Sequence, residues 1–239
     1  MTEKELAGVG PGVKPKNSPP RVLALCSSPR RNGNSRRLAE ALLEGAAEAG
    51  SQTDLIQISD QVKEMLRDCR ECRKKDGSCS IEDGFRDLFF EKALPADAWI
   101  YATPLWWYGL SAHLKNFLDR IFCYITDSYA DNETVIEQLV GKRVAVVMSA
   151  EENNLPARAA VLTEVQELCR YLHHPFVGFV TGIGNSRGDV NADPSDSLDA
   201  ARTLGRRLFE INETNYQLDT IRAKKVWDVA EPFYPVIWR

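Results

Sequence analysis

The sequence predicts an α/β fold built around one parallel β-sheet that carries helices on both faces. Two observations lead to this prediction. Five short, mostly apolar runs alternate along the chain with longer segments whose apolar residues recur at helical spacing. The runs are apolar at consecutive positions, as expected of parallel strands that are buried on both sides. They span residues 21–26, 54–58, 97–103, 143–149 and 176–181.

Each predicted strand is followed by a segment that predicts an amphipathic helix. The first helix is expected over residues 35–49 and ends before Gly50, a residue type favoured just after a helix. The third helix is expected over residues 110–122. The apolar positions of the five helices are, in chain order, Leu38, Leu42, Ala46 and Ala49; Phe85, Leu88 and Phe89; Leu110, Leu114, Phe117, Leu118, Ile121 and Phe122; Val161, Val165, Leu168, Cys169 and Leu172; and Leu198, Ala201, Leu204, Leu208 and Ile211.

The loop between the first strand and the first helix, residues 28–35, is a candidate phosphate site. Such a loop offers an anion unpaired backbone N–H groups and the positive end of the helix dipole. Further hydrogen-bond donors are available from Ser28, Arg30, Asn32, Asn34 and Ser35. An ordinary turn in which Ser35 caps the helix explains the same residues, so both interpretations stay open.

A second loop, residues 104–109, carries three adjacent aromatic side chains. It reads Pro-Leu-Trp-Trp-Tyr-Gly and joins the third predicted strand to the third predicted helix. Aromatic side chains are costly to expose to water unless something flat packs against them. The sequence therefore predicts a flat ligand at this loop.

With these two loops the chain resembles the flavodoxin-like NAD(P)H-dependent FMN reductases, and among them the iron–sulfur flavoproteins. The matching segments are residues 28–35, 69–83 and 103–120, and the resemblance extends over roughly 21–210. It implies a three-layer sandwich around a five-stranded parallel sheet of order 2-1-3-4-5. It also implies an FMN cofactor at the switch point between strands 1 and 3, with NAD(P)H as the electron donor.

The resemblance assigns the two loops to different parts of FMN. The phosphate would be bound by Ser28, Arg30, Asn32, Asn34 and Ser35. The isoalloxazine ring would be contacted by Pro104, Leu105, Trp106, Trp107, Tyr108 and Gly109. No side chain is expected to act as nucleophile or base, because the flavin N5 carries the hydride transfer. The small-molecule acceptor stays open among quinones, flavins, ferric chelates, and nitro- or azo-compounds.

The cysteine segment departs from the pattern of the iron–sulfur flavoproteins, which carry Cys-x2-Cys-x2-Cys followed shortly by a fourth Cys. Cys69, Cys72 and Cys79 match three of these positions, and Lys75 occupies the remaining one. A [4Fe–4S] cluster normally uses four thiolates, so we expect no intact cluster. A zinc site, inert thiols and redox-sensitive thiols are the alternatives. The alternative functions are an electron-transfer flavoprotein of the iron–sulfur type and a non-catalytic flavin or thiol redox sensor.

Charge and hydropathy narrow the class of partner. The chain of 239 residues has a formal net charge of −4, which gives no electrostatic reason to expect nucleic acid or an anionic membrane. No apolar run approaches the roughly 20 residues of a membrane-spanning helix. Residues 1–20 contain no apolar core of a signal peptide, so we expect a cytoplasmic protein.

Four ionisable residues at predicted element ends are interpreted as non-catalytic. Glu151 and Glu152 follow the fourth strand and are expected to be solvated, because carboxylates there would disfavour a negatively charged reduced flavin. His173 and His174 end the fourth helix, where the helix dipole favours the charged imidazolium.

Both ends of the chain are predicted to be additions to an FMN-binding domain over residues 21–214. Residues 1–20 combine closely spaced Pro and Gly with scattered charge, a composition typical of disorder. Residues 215–239 form an extension that is rich in aromatic residues and must be buried somewhere. It packs either on its own domain or on a neighbouring subunit, and we expect a homodimer or tetramer.

Overall fold

Five parallel strands form the sheet of this protein, for which a computed structural model describes residues 18–68 and 70–211. The strand order is β2-β1-β3-β4-β5 and every neighbouring pair is parallel. The strands are β1 (Arg21–Cys26), β2 (Gln52–Gln57), β3 (Ala98–Pro104), β4 (Arg143–Ala150) and β5 (Phe176–Ile183). The predicted fold class and strand order are confirmed. The predicted bounds of β1 are confirmed, and those of the other four strands differ by one or two residues; β2 begins at Gln52 and β5 continues to Ile183.

Helical segments follow every strand. The α-helices are α1 (Asn34–Glu48), α2 (Ile58–Gln61), α3 (Phe85–Asp87), α4 (Ala112–Ile121), α5 (Asn132–Leu139), α6 (Leu155–Tyr171) and α7 (Ser197–Arg206). The second predicted helix is one α-helical turn, α3, that continues as a π-helix over Leu88–Ala93. The sequence pattern did not predict α5, which buries only Val135 and Leu139 and so gives a weak periodic signal.

The sheet separates two apolar layers, as the alternation of side chains along each strand requires. On one face, Leu23 and Trp99 of the sheet pack with Phe117 of α4 and with α6 and the segment that begins at Phe85. On the other face, Ala24 and Ile100 pack with α1 and α7. The three layers predicted from the sequence are therefore present.

Helices α1 and α7 lie in direct backbone contact. A Cβ atom on Gly45 would lie 1.9 Å from the Arg202 carbonyl oxygen, and one on Gly205 would lie 2.0 Å from the Leu42 carbonyl oxygen. Only glycine allows such an approach. The contact fixes the position of α1, whose N-terminus lies at the carboxyl edge of the sheet.

One expectation about charge was wrong. His174 is buried and packs edge-on against Trp99, with the two ring centroids 5.4 Å apart. Burial, together with the nearby Lys142 ammonium, lowers the pKa of His174 to about 3. The side chain is therefore neutral at neutral pH, because desolvation outweighs the helix dipole.

Within residues 18–68 and 70–211, no helix is both long and apolar enough to cross a membrane. Residues 1–17, Cys69 and residues 212–239 lie outside the described residues, and they include most of the predicted N-terminal tail (1–20) and the whole predicted extension (215–239). The expectations about disorder, subunit contact and the first cysteine of the motif stay predictions.

Candidate functional site

Two adjoining cavities open at the carboxyl edge of the sheet. The first, of about 190 Å³, lies between the loop after β1 and the ends of β3, β4 and β5. The second, of about 170 Å³, lies beside the loop after β3. Both are lined by Leu105, Ala150 and Glu151. The first is also lined by Ser28, Arg30, Gly33, Asn34, Ser35, Pro104, Trp106, Ser149, Gly184, Asn185, Ser186 and Arg187, and the second by Trp107, Tyr108 and Glu152.

The N-terminus of α1 is available to an anion. Gly33 is the N-cap residue and no side chain caps the helix. Ser35 lies inside the first turn and is buried, so the alternative in which Ser35 caps α1 is wrong. The first N–H groups of a helix without a capping side chain, together with the positive end of its dipole, form a favourable phosphate site.

Three of the predicted phosphate ligands lie at the first cavity with polar atoms available. The Ser28 hydroxyl accepts the Arg30 N–H at 3.3 Å and retains its own proton for donation. The Ser35 and Ser149 hydroxyl oxygens are 2.7 Å apart, which ties the first turn of α1 to the end of β4. Arg30 is exposed at the cavity edge. Asn32 is exposed too, but it lines neither cavity.

Asn34 lines the first cavity, but its side chain is engaged by the protein. Its Nδ2 donates to the carbonyl oxygens of Gly184 at 3.1 Å and Ser186 at 3.0 Å. Its Oδ1 accepts the N–H groups of Gly188 at 2.9 Å and Val190 at 3.4 Å. A Cβ atom on Gly184 would lie 2.7 Å from Nδ2, so this contact requires glycine. The side chain joins the loops after β1 and β5, which is a positioning role that the sequence did not suggest.

A polar network below the cavity holds the ends of β1 and β3. Gln57 Nε2 donates to the carbonyl oxygens of Cys26 at 3.3 Å and Ser28. The Ser27 hydroxyl donates to the Ala102 carbonyl at 3.1 Å and accepts the Ser111 hydroxyl at 2.6 Å. These bonds orient the start of residues 28–35 toward β3.

The aromatic loop, residues 104–109, forms a tight turn at the second cavity. Trp107 and Tyr108 adopt φ values of 47° and 61°, and the Gly109 N–H donates to the Trp106 carbonyl at 3.1 Å. Positive φ at both central residues defines a type I′ turn, which bulky residues rarely adopt. Trp106 is 40% exposed, Trp107 96% and Tyr108 52%. The turn therefore holds aromatic rings in solvent beside both cavities, where a flat ligand would cover them.

The loop after β5 contributes residues that the sequence reasoning missed. Its backbone and side chains at 184–187 line the first cavity and include the exposed Arg187. The Asn185 side chain donates to the Glu151 carboxylate at 3.0 Å, which links this loop to the end of β4. The available signal was the glycine-rich stretch directly after the fifth strand. Glu151 and Glu152 are exposed, as expected.

A larger cavity of about 580 Å³ shares no lining residue with these two cavities. Its lining carries an excess of negative charge, with two lysines, Lys63 and Lys92, against six carboxylates, from Asp60, Glu64, Glu82, Asp83, Asp87 and Glu91. Such a lining repels phosphate, so the smaller cavities at the carboxyl edge are the ones that suit a phosphorylated ligand.

Only part of the cysteine segment lies among the described residues. Cys72 and Cys79 are buried, whereas Lys75 at the third motif position is exposed. Among residues 18–68 and 70–211, no group of three or more metal-ligating side chains is arranged to hold a metal. Because Cys69 lies outside the described residues, the absence of an intact cluster stays a prediction, and no chemistry is derived through one.

The fold and the site together define a class. A doubly wound parallel sheet that places an anion-binding helix N-terminus and an aromatic loop at the switch point between β1 and β3 is a flavodoxin-like, FMN-binding architecture. The chain belongs to the NADPH-dependent FMN reductase family, whose pattern matches residues 20–180. The protein is therefore an enzyme of this kind, with FMN as cofactor and NAD(P)H as electron donor.

Individual relatives refine this placement. An iron–sulfur flavoprotein of Methanocaldococcus jannaschii is 28% identical over 80% of this chain and 96% of the relative. An iron–sulfur flavoprotein of Archaeoglobus fulgidus is 23% identical over 83% of each chain. These relatives support the iron–sulfur flavoprotein branch. The NAD(P)H:quinone oxidoreductase of Methanothermobacter marburgensis shares the fold, with a TM-score of 0.58 and 24% identity over 80% of this chain and 97% of its own.

Proposed function

We propose that the protein passes two electrons from NAD(P)H to a planar small-molecule acceptor of the quinone type, at FMN bound across the two cavities. The observation that carries this proposal is that the two cavities adjoin. One suits a phosphate, the other is walled by aromatic rings, and both share Leu105, Ala150 and Glu151. An elongated ligand with a phosphate at one end and a flat ring system at the other fits this arrangement.

The residues at the first cavity fit the phosphate end of FMN. The uncapped N-terminus of α1, the hydroxyls of Ser28 and Ser35, and the Arg30 guanidinium supply donors and positive charge. Asn34 holds the loop after β5 against this cradle. We assign no phosphate contact to Asn32, because it lines neither cavity.

The residues at the second cavity fit the ring. Pro104 ends β3 and Leu105 follows it, and the type I′ turn that comes next presents Trp106, Trp107 and Tyr108. When bound, FMN accepts a hydride and delivers its two electrons. The protein orients the nicotinamide and then the acceptor over the same ring face, and its aromatic turn excludes water from them.

A planar acceptor is favoured over a metal chelate by the exposure of Trp107. At 96% exposure, this ring reaches beyond the shared lining of the cavities, where it can stack on a second flat molecule. The name of the related fold from Methanothermobacter marburgensis, an NAD(P)H:quinone oxidoreductase, supports the same class of acceptor.

Steady-state kinetics of the purified FMN-loaded protein test this proposal. A single site that serves donor and acceptor in turn gives parallel double-reciprocal lines with NADPH and a quinone. Trp107→Leu should raise KM for the quinone roughly 2- to 10-fold, since an aromatic stack contributes about 0.5–1.5 kcal/mol, and should leave turnover with ferricyanide unchanged. Tyr171→Leu is the matched control, because Tyr171 is an exposed aromatic residue on α6 that lines neither cavity. Intersecting lines, or equal effects on both acceptors, would contradict the proposal.

A further inference from the structure

Nitrogen donors surround Gly188 in the loop after β5. Gly188 has a φ of 88°, a left-handed conformation that strains any residue with a side chain. The point that a Cβ atom would occupy there lies 3.7 Å from Nε and 3.8 Å from Nη2 of Arg37, and 3.7 Å from Nδ2 of Asn191. Among the described residues, apart from Gly188 and its two chain neighbours, these are the three heavy atoms nearest that point. We call Arg37, Gly188 and Asn191 the Gly188 site.

The Arg37 guanidinium is not engaged by the described part of the protein. Its Nε is buried and has no hydrogen-bond partner among residues 18–68 and 70–211. It forms no ion pair with a carboxylate of these residues either, whereas the preceding Arg36 is bound by Glu40 at 2.7 Å. A buried donor without a partner is destabilising and rare in native structures, so we expect a ligand to supply the acceptor.

The Gly188 site adjoins the first cavity but is distinct from it. The lining of that cavity includes Asn34 and Arg187 and none of the three residues of the site. Asn34 Oδ1 accepts the Gly188 N–H at 2.9 Å, and Arg37 follows Asn34 by three positions on α1, so both side chains lie on one face of the helix. A ligand that extends from the cavities across the loop after β5 therefore reaches the site.

The charge around Gly188 favours an anion. Arg37 and the exposed Arg187 contribute two guanidinium groups, and neither is paired with a carboxylate in the described part of the chain. The carboxylate of the next residue, Asp189, is turned onto the backbone of its own loop, where it accepts the Ser186 N–H at 2.6 Å. Because a guanidinium donates to phosphate oxygens through two N–H groups at once, Nε and Nη2 of Arg37 suit a phosphate.

We propose that the Gly188 site binds the 2′-phosphate of NADPH and makes NADPH the preferred electron donor over NADH. This inference rests on the proposed function, which places the nicotinamide at the second cavity. The two nucleotides differ only in this phosphate, which lies on the adenosine, at the end of the molecule away from the nicotinamide. Its free oxygens can accept from Arg37 and Asn191 together. The Asn185 side chain, which donates at 3.0 Å to Glu151 of both cavity linings, ties the loop that carries the site to the ring end.

Calorimetric binding of two nucleotide fragments to the FMN-loaded full chain tests the proposal without turnover. FMN then fills the first cavity, and adenosine 2′,5′-bisphosphate should bind more tightly than 5′-AMP, which lacks the 2′-phosphate. Arg37→Ala should weaken binding of the bisphosphate roughly 10- to 100-fold, as expected for hydrogen bonds to a charged group. Asn191→Ala, at an exposed position, should weaken it less. Arg36→Ala is the matched control on the same helix and should bind both fragments as the unmodified protein does.

Kinetics with both nucleotides separate this inference from the proposed function. Arg37→Ala should lower kcat/KM for NADPH roughly 10- to 100-fold, with kcat/KM for NADH and the FMN content unchanged. An equal loss with both nucleotides would overturn the inference, because it would place their common pyrophosphate at the site. So would a loss of FMN affinity, which would assign Arg37 to the cofactor phosphate.

The two fragments also show which proposal fails. Equal binding of both fragments by a protein that reduces a quinone with parallel double-reciprocal lines would overturn the inference and leave the proposed function standing. Selective binding of the bisphosphate that is lost in Arg37→Ala, by a protein that reduces no quinone, would support the Gly188 site and overturn the proposed function.

Discussion

At the scale of single residues, Arg30 is the cation of the first loop that lines the first cavity, and its neighbour Arg31 is the natural control. Arg31 is bound by the Asp60 carboxylate at 2.8 Å and lines neither cavity. We expect Arg30→Ala to weaken FMN binding by about 1.5–3 kcal/mol, the contribution of a hydrogen bond to a charged group. Arg31→Ala should leave the affinity within about twofold. Fluorescence titration of the apoprotein with FMN measures both affinities. If Arg30→Ala binds FMN as tightly as the unmodified protein does, Arg30 does not bind the phosphate.

Asp83 gives a prediction about stability. Burial raises the pKa of Asp83, but hydrogen bonds from Arg120 and from the backbone N–H groups of Glu64 and Phe85, together with the charge of Arg120, outweigh it and hold that pKa below its usual value. Asp83→Asn leaves the Arg120 guanidinium buried without a counter-charge and should cost about 3–5 kcal/mol of unfolding free energy at pH 7. Asp119→Asn breaks the exposed Lys115–Asp119 pair of α4 and should cost at most about 0.5 kcal/mol.

The same ion pair has a defined pH dependence. A carboxyl whose pKa is depressed in the folded state adds stability above its unfolded pKa of about 3.9, and this stability is lost as the pH falls through the folded pKa. In urea unfolding, the difference between Asp83→Asn and the unmodified protein should therefore be constant above about pH 5 and shrink below about pH 4. A difference that stays constant into acid would show that the pair contributes nothing through its charge.

The roles of individual polar residues could be predicted only in part. Ser28 and Ser35 were recognisable as donors because they lie in a loop that begins a helix, which is local information. The engagement of Asn34 with Gly184 and Ser186 was not recognisable, because its partners lie 150 and 152 positions further along the chain. Side-chain partners at such separations depend on how the strands are ordered, which a single sequence does not show.

At the scale of elements, the contact between α1 and α7 sets a test of packing. Gly205→Ala places a methyl group 2.0 Å from the Leu42 carbonyl oxygen. We expect a loss of at least about 1–3 kcal/mol in unfolding free energy, the usual cost of overpacking, although alanine alone would stabilise a free helix by about 1 kcal/mol. Ala200→Gly, at an exposed position of the same helix, measures that propensity effect separately. A stabilised Gly205→Ala variant would show that the helices are not in backbone contact.

The strands were predictable as elements because their apolar runs reflect burial on both sides of the sheet. The type I′ turn could not be predicted, because Trp107 and Tyr108 are residue types that disfavour positive φ. Residues held in such sparsely populated conformations cluster at functional sites. The π-helix over Leu88–Ala93 escaped prediction for a similar reason, since its apolar residues also suit an ordinary α-helix.

At the scale of the whole molecule, the strand order was implied by the resemblance to the flavodoxin-like reductases, which the ligand-like loops after strands 1 and 3 suited, and the sheet confirms it. The full set of residues at the site could not be predicted, because the loop after β5, far along the chain from the first two loops, completes the lining of the first cavity. The assembly stays a prediction. Deleting residues 225–239 should shift the protein toward monomer and lower quinone turnover more than FMN retention, as measured by light scattering and kinetics. An unchanged oligomeric state with unchanged kinetics would show that the tail merely packs on its own domain.

The most direct test of the central claim is an anaerobic titration of the purified protein with NADPH or NADH, followed by visible absorption. The claim is that one FMN per chain binds across the two cavities and receives a hydride there. We predict that the protein carries up to one FMN per chain and that one equivalent of the preferred nucleotide abolishes the oxidised flavin absorption. Subsequent addition of a quinone should restore it. Protein that retains no FMN, or whose flavin absorption neither nucleotide changes, would contradict the account.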